Sequence, residues 1–399
     1  MGFLFGQIAT PPAVPCLAME TAVEDWWAVR RAVYDAANGV VYMSGVAYDG
    51  KAVIGSYNVA TGERVRTVLA KLQVDEHNTP ALLVEADKPP IVAYCNHGTE
   101  NHFHVRRATA VRDISSWNSE QTIATSGGAT YAQLYREAGT NNLVNLLRVG
   151  LTAWHVSLSE DFGETWSTPI SVFTLGQQMY IATSQDESNV LHVAMYGHPT
   201  NSSCHDVYFC TIDLASGAVK KKDGTTIGNI KTGSGLPIAF TGVLEQAYTH
   251  PGGHNTRLFD INQNDEIVIA DWTNDYDAVY RYVRWNGSSW ESHPIVAAGQ
   301  VIGYTPSIHY HAGASLDFNG NLGVVFLGRE ANDVWYMERW TTGDGGETWS
   351  SEVISSGELK LARPFQAVPS KGIIYTRFTS YTDYTHYEGD IYWYLGGAW

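Results

Sequence analysis

The sequence has few cysteines, little positive charge and no long apolar run. Four cysteines in 399 residues are too few for a fold built on disulfides. No apolar stretch approaches the roughly 20 residues that a membrane span needs, so we expect no membrane partner. With 25 Lys+Arg against 41 Asp+Glu, the net charge is −16. The surface therefore lacks the basic character by which proteins bind nucleic acid.

Linker-like segments are also absent from the sequence. It contains no long Pro/Ser/Gly-rich tract, no block of like charges and no heptad repeat. One domain that spans residues 1–399 is therefore expected. The opening apolar segment has no positive n-region, which makes it a poor signal peptide.

Turn-forming and aromatic residues are abundant, with 38 glycines and 12% aromatic side chains. This composition is typical of many short strands joined by tight turns. Strand-like runs follow turn-forming pairs repeatedly, as in residues 40–43 after Asn38-Gly39 and residues 267–270 after Asn264-Asp265. Helical periodicity is weak, so the pattern predicts an all-β fold.

One turn motif occurs twice. Residues 159–166 fit the pattern Ser-x-Asp-x-Gly-x-Thr-Trp, and residues 342–349 fit it with Thr in the first position. These are Asp boxes, hairpin turns typical of sialidase-like β-propellers, and we assign their acidic residues to structure. A blade takes about 40 to 60 residues, so we expect a seven-bladed β-propeller in one domain, with roughly the first 20 residues as an extended segment or blade closure.

Two histidines border neighbouring predicted strands. His77 precedes an apolar run and His97 follows the next one. Because an antiparallel hairpin returns to the same end of a blade, both imidazoles are expected to face one site. The alternative is that each is a capped loop histidine with a structural role.

The order of several motifs resembles a known family. Residues 75–82 (Asp-x-His-Asn-x-Pro-Ala-Leu), the strand end at His97, the first Asp box and residues 196–199 are similar to the BNR-repeat family that includes the propeller-type ulvan lyases. The resemblance covers about residues 70 to 330. It implies a lyase that cleaves an ulvan-like, uronate-containing polysaccharide, and it leaves sulfation of the substrate open.

Position by position, the resemblance implies roles for individual side chains. The implied catalytic residues are His77, His97, Tyr131 and Arg148. The residues expected to bind substrate are Tyr180 and His198, with Arg257 as a further candidate for contact with an anion. The chain departs from the family pattern at Gln133-Leu134, where Asn-Pro is common.

The chemistry of uronate elimination is consistent with these residue types. The C5 proton becomes acidic only when the adjacent carboxylate is neutralised, a task for Arg148. Between His77 and Tyr131, one would act as base and the other as acid. A tyrosine base would need its pKa of about 10 lowered by nearby positive charge, which Arg148 and a protonated histidine could supply.

A second histidine-rich stretch suggests a metal site. His309 and His311, two residues apart, would share one face of a strand. Together with His254 they form a candidate zinc site, with His198 as an alternative ligand. The ion would be structural, because the elimination itself requires no cofactor.

Two other classes share the features listed above. A sialidase-like glycoside hydrolase would use the same fold, and a non-catalytic propeller would bind glycan on aromatic rings, as an adhesin or on a virion. The lyase interpretation predicts an anionic polysaccharide as partner, a monomer, and a secreted or extracellular location, with a virion-associated role as the alternative.

Overall fold

The structure is a computed structural model that describes residues 14–25, 31–198, 206–252, 255–273, 278–303, 310–368 and 372–396. These residues form seven sheets that follow one another along the chain. In these ranges helical structure is limited to one 3₁₀ turn, Glu76–Asn78. None of the described residues forms a helix long and apolar enough to cross a membrane. The predicted all-β, seven-bladed propeller is confirmed.

Each sheet is one blade of antiparallel strands, numbered here in chain order after β1 (Cys16–Met19). Blade 1 contains β2 (Ala32–Asp35), β3 (Val40–Val46), β4 (Lys51–Asn58) and β5 (Arg64–Lys71). Blade 2 contains β6 (Ala81–Glu85), β7 (Lys88–Tyr94), β8 (His102–Arg107) and β9 (Gln121–Ala124). Blade 3 contains β10 (Ala129–Arg136), β11 (Leu143–Val149), β12 (Ala153–Ser159) and β13 (Ile170–Thr174).

The remaining blades follow the same plan, with extra strands after blade 4. Blade 4 contains β14 (Met179–Gln185), β15 (Val190–Gly197), β16 (Val207–Asp213), β17 (Ala218–Lys220) and β18 (Thr226–Asn229). Two short strands, β19 (Ile238–Ala239) and β20 (Glu245–Tyr248), pair with β13 and β16. Blade 5 contains β21 (Asn255–Ile261), β22 (Ile267–Trp272), β23 (Val279–Trp285) and β24 (Trp290–Ala297). Blade 6 contains β25 (Ala314–Leu316), β26 (Val324–Ala331), β27 (Val334–Thr341) and β28 (Ser350–Gly357). Blade 7 contains β29 (Lys360–Gln366), β30 (Ile373–Asp383) and β31 (His386–Tyr394).

Strands from the two ends of the chain close the ring. Strand β1 pairs with β31, so that Cys16 lies opposite Trp393 and the N-terminal strand becomes the outermost strand of blade 7. On the inner side, Val33 of blade 1 forms a parallel bridge with Val368 after β29. The first and last blades are thereby joined by backbone hydrogen bonds, which closes the ring.

The two repeated turns pack against the preceding blade. In the first, the Asp161 carboxylate accepts hydrogen bonds from the backbone N and Oγ1 of Thr165 at 2.8 and 2.6 Å. Trp166 then lies edge-to-face on Phe103 of blade 2, with ring centroids 5.8 Å apart. The carboxylate of Asp344 makes the equivalent bonds in the second turn. In both turns, then, the aspartate holds the loop by accepting bonds from a nearby threonine.

The innermost strands share one direction around the central channel, since each blade begins at its inner strand. Their first residues therefore meet at one mouth of the channel, called here the first mouth, and their last residues meet at the second mouth. A cavity of about 540 Å³ opens at the second mouth, lined among others by Glu85, Tyr135 and Gln185. The residues expected to carry chemistry lie at the first mouth.

Candidate active site at the first mouth

A short turn between blades 1 and 2 carries the first histidine. Asp75 caps the 3₁₀ helix, and its Oδ1 accepts a hydrogen bond from the backbone N of His77 at 2.9 Å. The same oxygen lies 2.5 Å from Nδ1 of the His77 ring. The N-cap therefore fixes both the backbone and the imidazole of His77.

The second histidine meets the first across one carboxylate. The backbone N of His97 donates to Oδ1 of Asn78 at 2.8 Å, which holds the end of β7 against the turn. Nδ1 of His97 lies 2.5 Å from Oδ2 of Asp75. The rings of His77 and His97 stack with centroids 4.3 Å apart. The structure thus brings together the two histidines that the hairpin argument places at one site.

The shared carboxylate sets the tautomer of both rings. Burial alone would raise the pKa of the Asp75 carboxyl, but the two imidazoles outweigh it and hold that pKa well below its ordinary value. An ionised carboxylate only accepts, so each Nδ1 is the donor. Burial lowers the pKa of His77 to about 4. At neutral pH this ring is therefore uncharged, with its lone pair on Nε2.

Tyr131 lies on the innermost strand of blade 3, at a β-bulge that sets the direction of its side chain. The register between β10 and β11 shifts between Thr130 and Gln133, and Tyr131 has a φ of +58°. A bulge re-aims a side chain, and positive φ at a non-glycine residue is concentrated at functional sites. The Tyr131 ring centroid lies 5.7 Å from that of His77 and 6.0 Å from that of His97.

Arg148 lies beside Tyr131 on the neighbouring strand, paired with Thr130 in the ladder. Its guanidinium carbon is 4.6 Å from the Tyr131 ring centroid and 5.1 Å from that of Tyr180, and the side chain is almost fully buried. Nε and Nη1 of Arg148 have no hydrogen-bond partner among the described residues. Such a group is costly to bury, and it is suited to receive an anion.

The charge of Arg148 lowers the pKa of Tyr131, as expected, but larger effects oppose it. Burial and the neighbouring Tyr180 hydroxyl raise the pKa of Tyr131 well above its ordinary value, and the opposing effect of Arg148 is too small to reverse this. Tyr131 is therefore protonated at neutral pH. Sequence reasoning missed this because a charge partner can be inferred from a motif, whereas the degree of burial cannot.

The three residues expected to bind substrate line the same mouth of the channel. The Tyr180 ring lies 5.9 Å from Tyr131 and 5.7 Å from His198, centroid to centroid. Burial, followed by the charges of Arg257 and Arg148, lowers the pKa of His198 to about 4. Arg257 is fully buried, with its guanidinium carbon 5.2 Å from the ring of Tyr310. The first mouth is thus lined by aromatic rings and two buried arginines.

The expected zinc ligands are only partly described. His254 and His309 lie outside the described residues. His311 is fully buried beside Trp272, with ring centroids 5.4 Å apart, and burial lowers its pKa to about 3. Neither ring nitrogen of His311 has a hydrogen-bond partner among the described residues. The zinc site at His254, His309 and His311 therefore stays a prediction.

Blade 7 contributes residues that sequence analysis did not identify. The ring of Tyr384, at the β30–β31 turn, lies edge-on to His77 with centroids 4.9 Å apart. The hydroxyl of Tyr381 donates to Oε1 of Glu76 at 2.9 Å. Arg363, which has a φ of +61°, forms an ion pair with the same carboxylate. None of these residues belongs to a local motif, since ring closure alone brings them to the turn.

Comparison with known proteins identifies the family. The sequence model of the BNR repeat-containing family matches residues 40–298, more than half of the chain. The chain therefore belongs to the BNR repeat-containing family. No curated protein matches the sequence.

Solved structures share the fold at low sequence identity. One is a polysaccharide lyase of family PL25, an ulvan lyase bound to -[GlcA(1-4)Rha3S]-, with 17% identity and a TM-score of 0.72; the match covers 96% of this chain and 94% of that one. Another is the polysaccharide lyase Uly1, with 12% identity and a TM-score of 0.56; the match covers 99% of this chain and 94% of that one.

Proposed function

We propose that this chain is a polysaccharide lyase that cleaves a uronate-containing, ulvan-like polysaccharide by β-elimination. One observation carries the proposal, the grouping of three chemically matched side chains at the first mouth. His77 is uncharged, Tyr131 is protonated, and Nε and Nη1 of Arg148 have no hydrogen-bond partner among the described residues. They supply a base, an acid and a cation within one buried cluster.

The first step would be neutralisation of the substrate carboxylate. Arg148 offers Nε and Nη1, which the described protein groups leave unbonded. A guanidinium donates charge-assisted hydrogen bonds to a carboxylate, and burial strengthens the interaction because water is excluded. This pairing would stabilise the negative charge that develops as C5 loses its proton.

Proton transfer would follow from the protonation states at this site. Nε2 of His77 would take the C5 proton, while its Nδ1–H remains bonded to Asp75. The C5–H electron pair would form the C4=C5 double bond as the C4–O4 bond breaks. Tyr131 would give its proton to O4, and the two groups would then exchange protons with solvent for the next cycle.

Two findings support a uronate as the substrate. Two buried arginines, Arg148 and Arg257, lie in the aromatic lining described above, although the whole chain carries a net charge of −16. The ulvan lyase of similar fold binds a ligand that contains GlcA. A local cationic pocket in an acidic protein suits an anionic sugar held at one subsite.

The test is a parallel assay for unsaturated uronate and for reducing ends, with ulvan first in a panel of uronate polysaccharides. Elimination raises ultraviolet absorbance and reducing ends together. His77→Ala and Tyr131→Phe should each lower the rate about 10²- to 10⁴-fold, because each removes one proton-transfer group.

The exposed His386→Ala variant is the matched control and should retain the wild-type rate, since His386 lies on the surface beside Asp383. Reducing ends without ultraviolet absorbance would instead indicate a hydrolase. Binding of the polysaccharide without either product would indicate a non-catalytic glycan-binding propeller.

A further inference from the structure

A second cluster of ligating side chains lies on blade 2, outside the site described above. His102 and His104 are two apart on β8, so both imidazoles project from one face of the strand. Glu100 precedes them, and its Oε2 lies 3.4 Å from Nε2 of His102 and 2.9 Å from Nε2 of His104. The three ligand atoms all lie within 4.8 Å of one another.

These separations fit a metal coordination sphere. With metal–ligand bonds near 2.0–2.1 Å, two ligand atoms of a tetrahedral zinc ion are roughly 3.3 Å apart. The two distances from Glu100 bracket that value. Little movement of the side chains would therefore be needed to bring all three ligand atoms to one ion.

An outer carboxylate orients one of the imidazoles. Nδ1 of His104 lies 2.9 Å from Oε1 of Glu120, and the hydroxyl of Tyr94 donates to the other oxygen of Glu120. The Tyr94 ring also stacks on His104, with centroids 5.0 Å apart. If Nδ1 donates to Glu120, the lone pair of His104 is on Nε2, which faces Glu100. Metal-bound histidines characteristically have such a carboxylate partner.

We propose that Glu100, His102 and His104 bind a divalent transition-metal ion, with zinc as the preferred species. Oε2 of Glu100 and the two Nε2 atoms are the ligands, and water occupies the fourth position. Two imidazoles and one carboxylate favour zinc over calcium or magnesium, which prefer oxygen ligands. The backbone carbonyl of Glu100 accepts a bond from Ala129 at 2.9 Å. The ion would tie the loop after His97 to β8, while this backbone bond joins the same loop to blade 3.

The experiment is calorimetric titration of ZnSO₄ into the full chain after removal of metal with EDTA, in the absence of polysaccharide. The wild type should bind zinc with a site that His102→Ala loses. The side chain of His102 is about one-third exposed, so its removal leaves the core intact. Glu120→Ala should weaken binding about 10- to 100-fold, because the orienting partner of His104 is lost.

Two further variants locate the ion. His386→Ala, which removes an exposed histidine beside a carboxylate, should bind zinc as the wild type does. Asp75→Asn should also retain this binding, since the other group of ligating side chains among the described residues is Asp75, His77 and His97. Loss of binding in Asp75→Asn with retention in His102→Ala would overturn the proposal. Absence of zinc binding to the wild type would also overturn it.

Discussion

Nη2 of Arg363 lies 2.6 Å from Oε2 of Glu76, and neither side chain is accessible to solvent. Glu76 lies between the capping aspartate and the first histidine of the candidate site, whereas Arg363 belongs to the innermost strand of blade 7. The two residues are 287 positions apart in the sequence. The ion pair therefore anchors the turn that carries His77 to the far end of the chain.

Removal of one partner should destabilise the protein strongly. Arg363→Met leaves the Glu76 carboxylate buried without its cation, which typically costs about 3–5 kcal/mol of the free energy of unfolding. Chemical denaturation measures this loss. The control is Arg64→Met, since Arg64 and Glu20 form an exposed pair at 3.3 Å and should contribute at most about 1 kcal/mol. Equal losses in the two variants would show that the buried pair has no special role.

The rate should remain high at acidic pH until His77 is protonated. Burial lowers the pKa of His77 to about 4, so kcat/KM should be nearly level from neutral pH to about 5 and fall near 4. A base with an ordinary histidine pKa would give a midpoint near 6.5, and a measured midpoint there would contradict the assignment.

The same shift links pH to stability. Because the folded pKa of His77 lies below its unfolded value, its contribution to stability is complete above about 6.5 and is lost as the pH falls towards 4. Circular dichroism at each pH is therefore needed to separate loss of activity from unfolding.

Asp75→Asn should reduce the rate without removing either histidine. The two oxygens of Asp75 each accept a hydrogen bond from one Nδ1 atom at 2.5 Å. Asparagine has only one acceptor oxygen, so it can accept from only one of the two rings. The tautomer that leaves the lone pair on Nε2 of His77 is then no longer fixed. We expect kcat to fall about 10²- to 10⁴-fold.

The matched control for Asp75→Asn is Asp265→Asn. Its carboxylate lies 2.5 Å from Nδ1 of His192 in a similarly buried pair. Asp265 and His192 lie away from the first mouth, so the rate per folded molecule should be unchanged. If both variants lost the same activity, the effect of Asp75→Asn would be structural.

Arg148→Met should separate activity from stability. It removes the proposed carboxylate partner, so kcat/KM should fall at least about 10²-fold. Because no described carboxylate is bonded to Nε or Nη1 of Arg148, the substitution breaks no ion pair there, and the free energy of unfolding should stay level or rise. This is the opposite of the result expected for Arg363→Met. Arg148→Lys should recover only part of the rate, since an ammonium group is a point charge without the planar set of guanidinium donors.

Local sequence signals were enough to predict the fold and part of the candidate site. Repeated turns with period-2 strands define blades, and the return of a hairpin predicts that His77 and His97 meet. Contacts that depend on ring closure had no such signal, as the ion pair between Arg363 and Glu76 shows. The protonation state of Tyr131 was also beyond reach, because it depends on how deeply the assembled blades bury the ring.

A side chain at Gly163, in the first repeated turn, should destabilise the protein. Gly163 has a φ of +81°, and a methyl group there would collide with Cδ1 of Ile91 in the preceding blade. Gly139 has a similar φ of +78° with no atom within 4 Å of the added carbon. Gly139→Ala therefore measures backbone strain alone, about 1–2 kcal/mol.

Gly163→Ala should lower the free energy of unfolding by about 1–3 kcal/mol more than Gly139→Ala does, because it adds overpacking between blades 2 and 3 to the same backbone strain. Chemical denaturation of the two variants gives the difference directly. The turn lies away from the first mouth, so the rate per folded molecule should not change. Equal losses at Gly139 and Gly163 would mean that the turn sets only its own conformation and does not position one blade against the next.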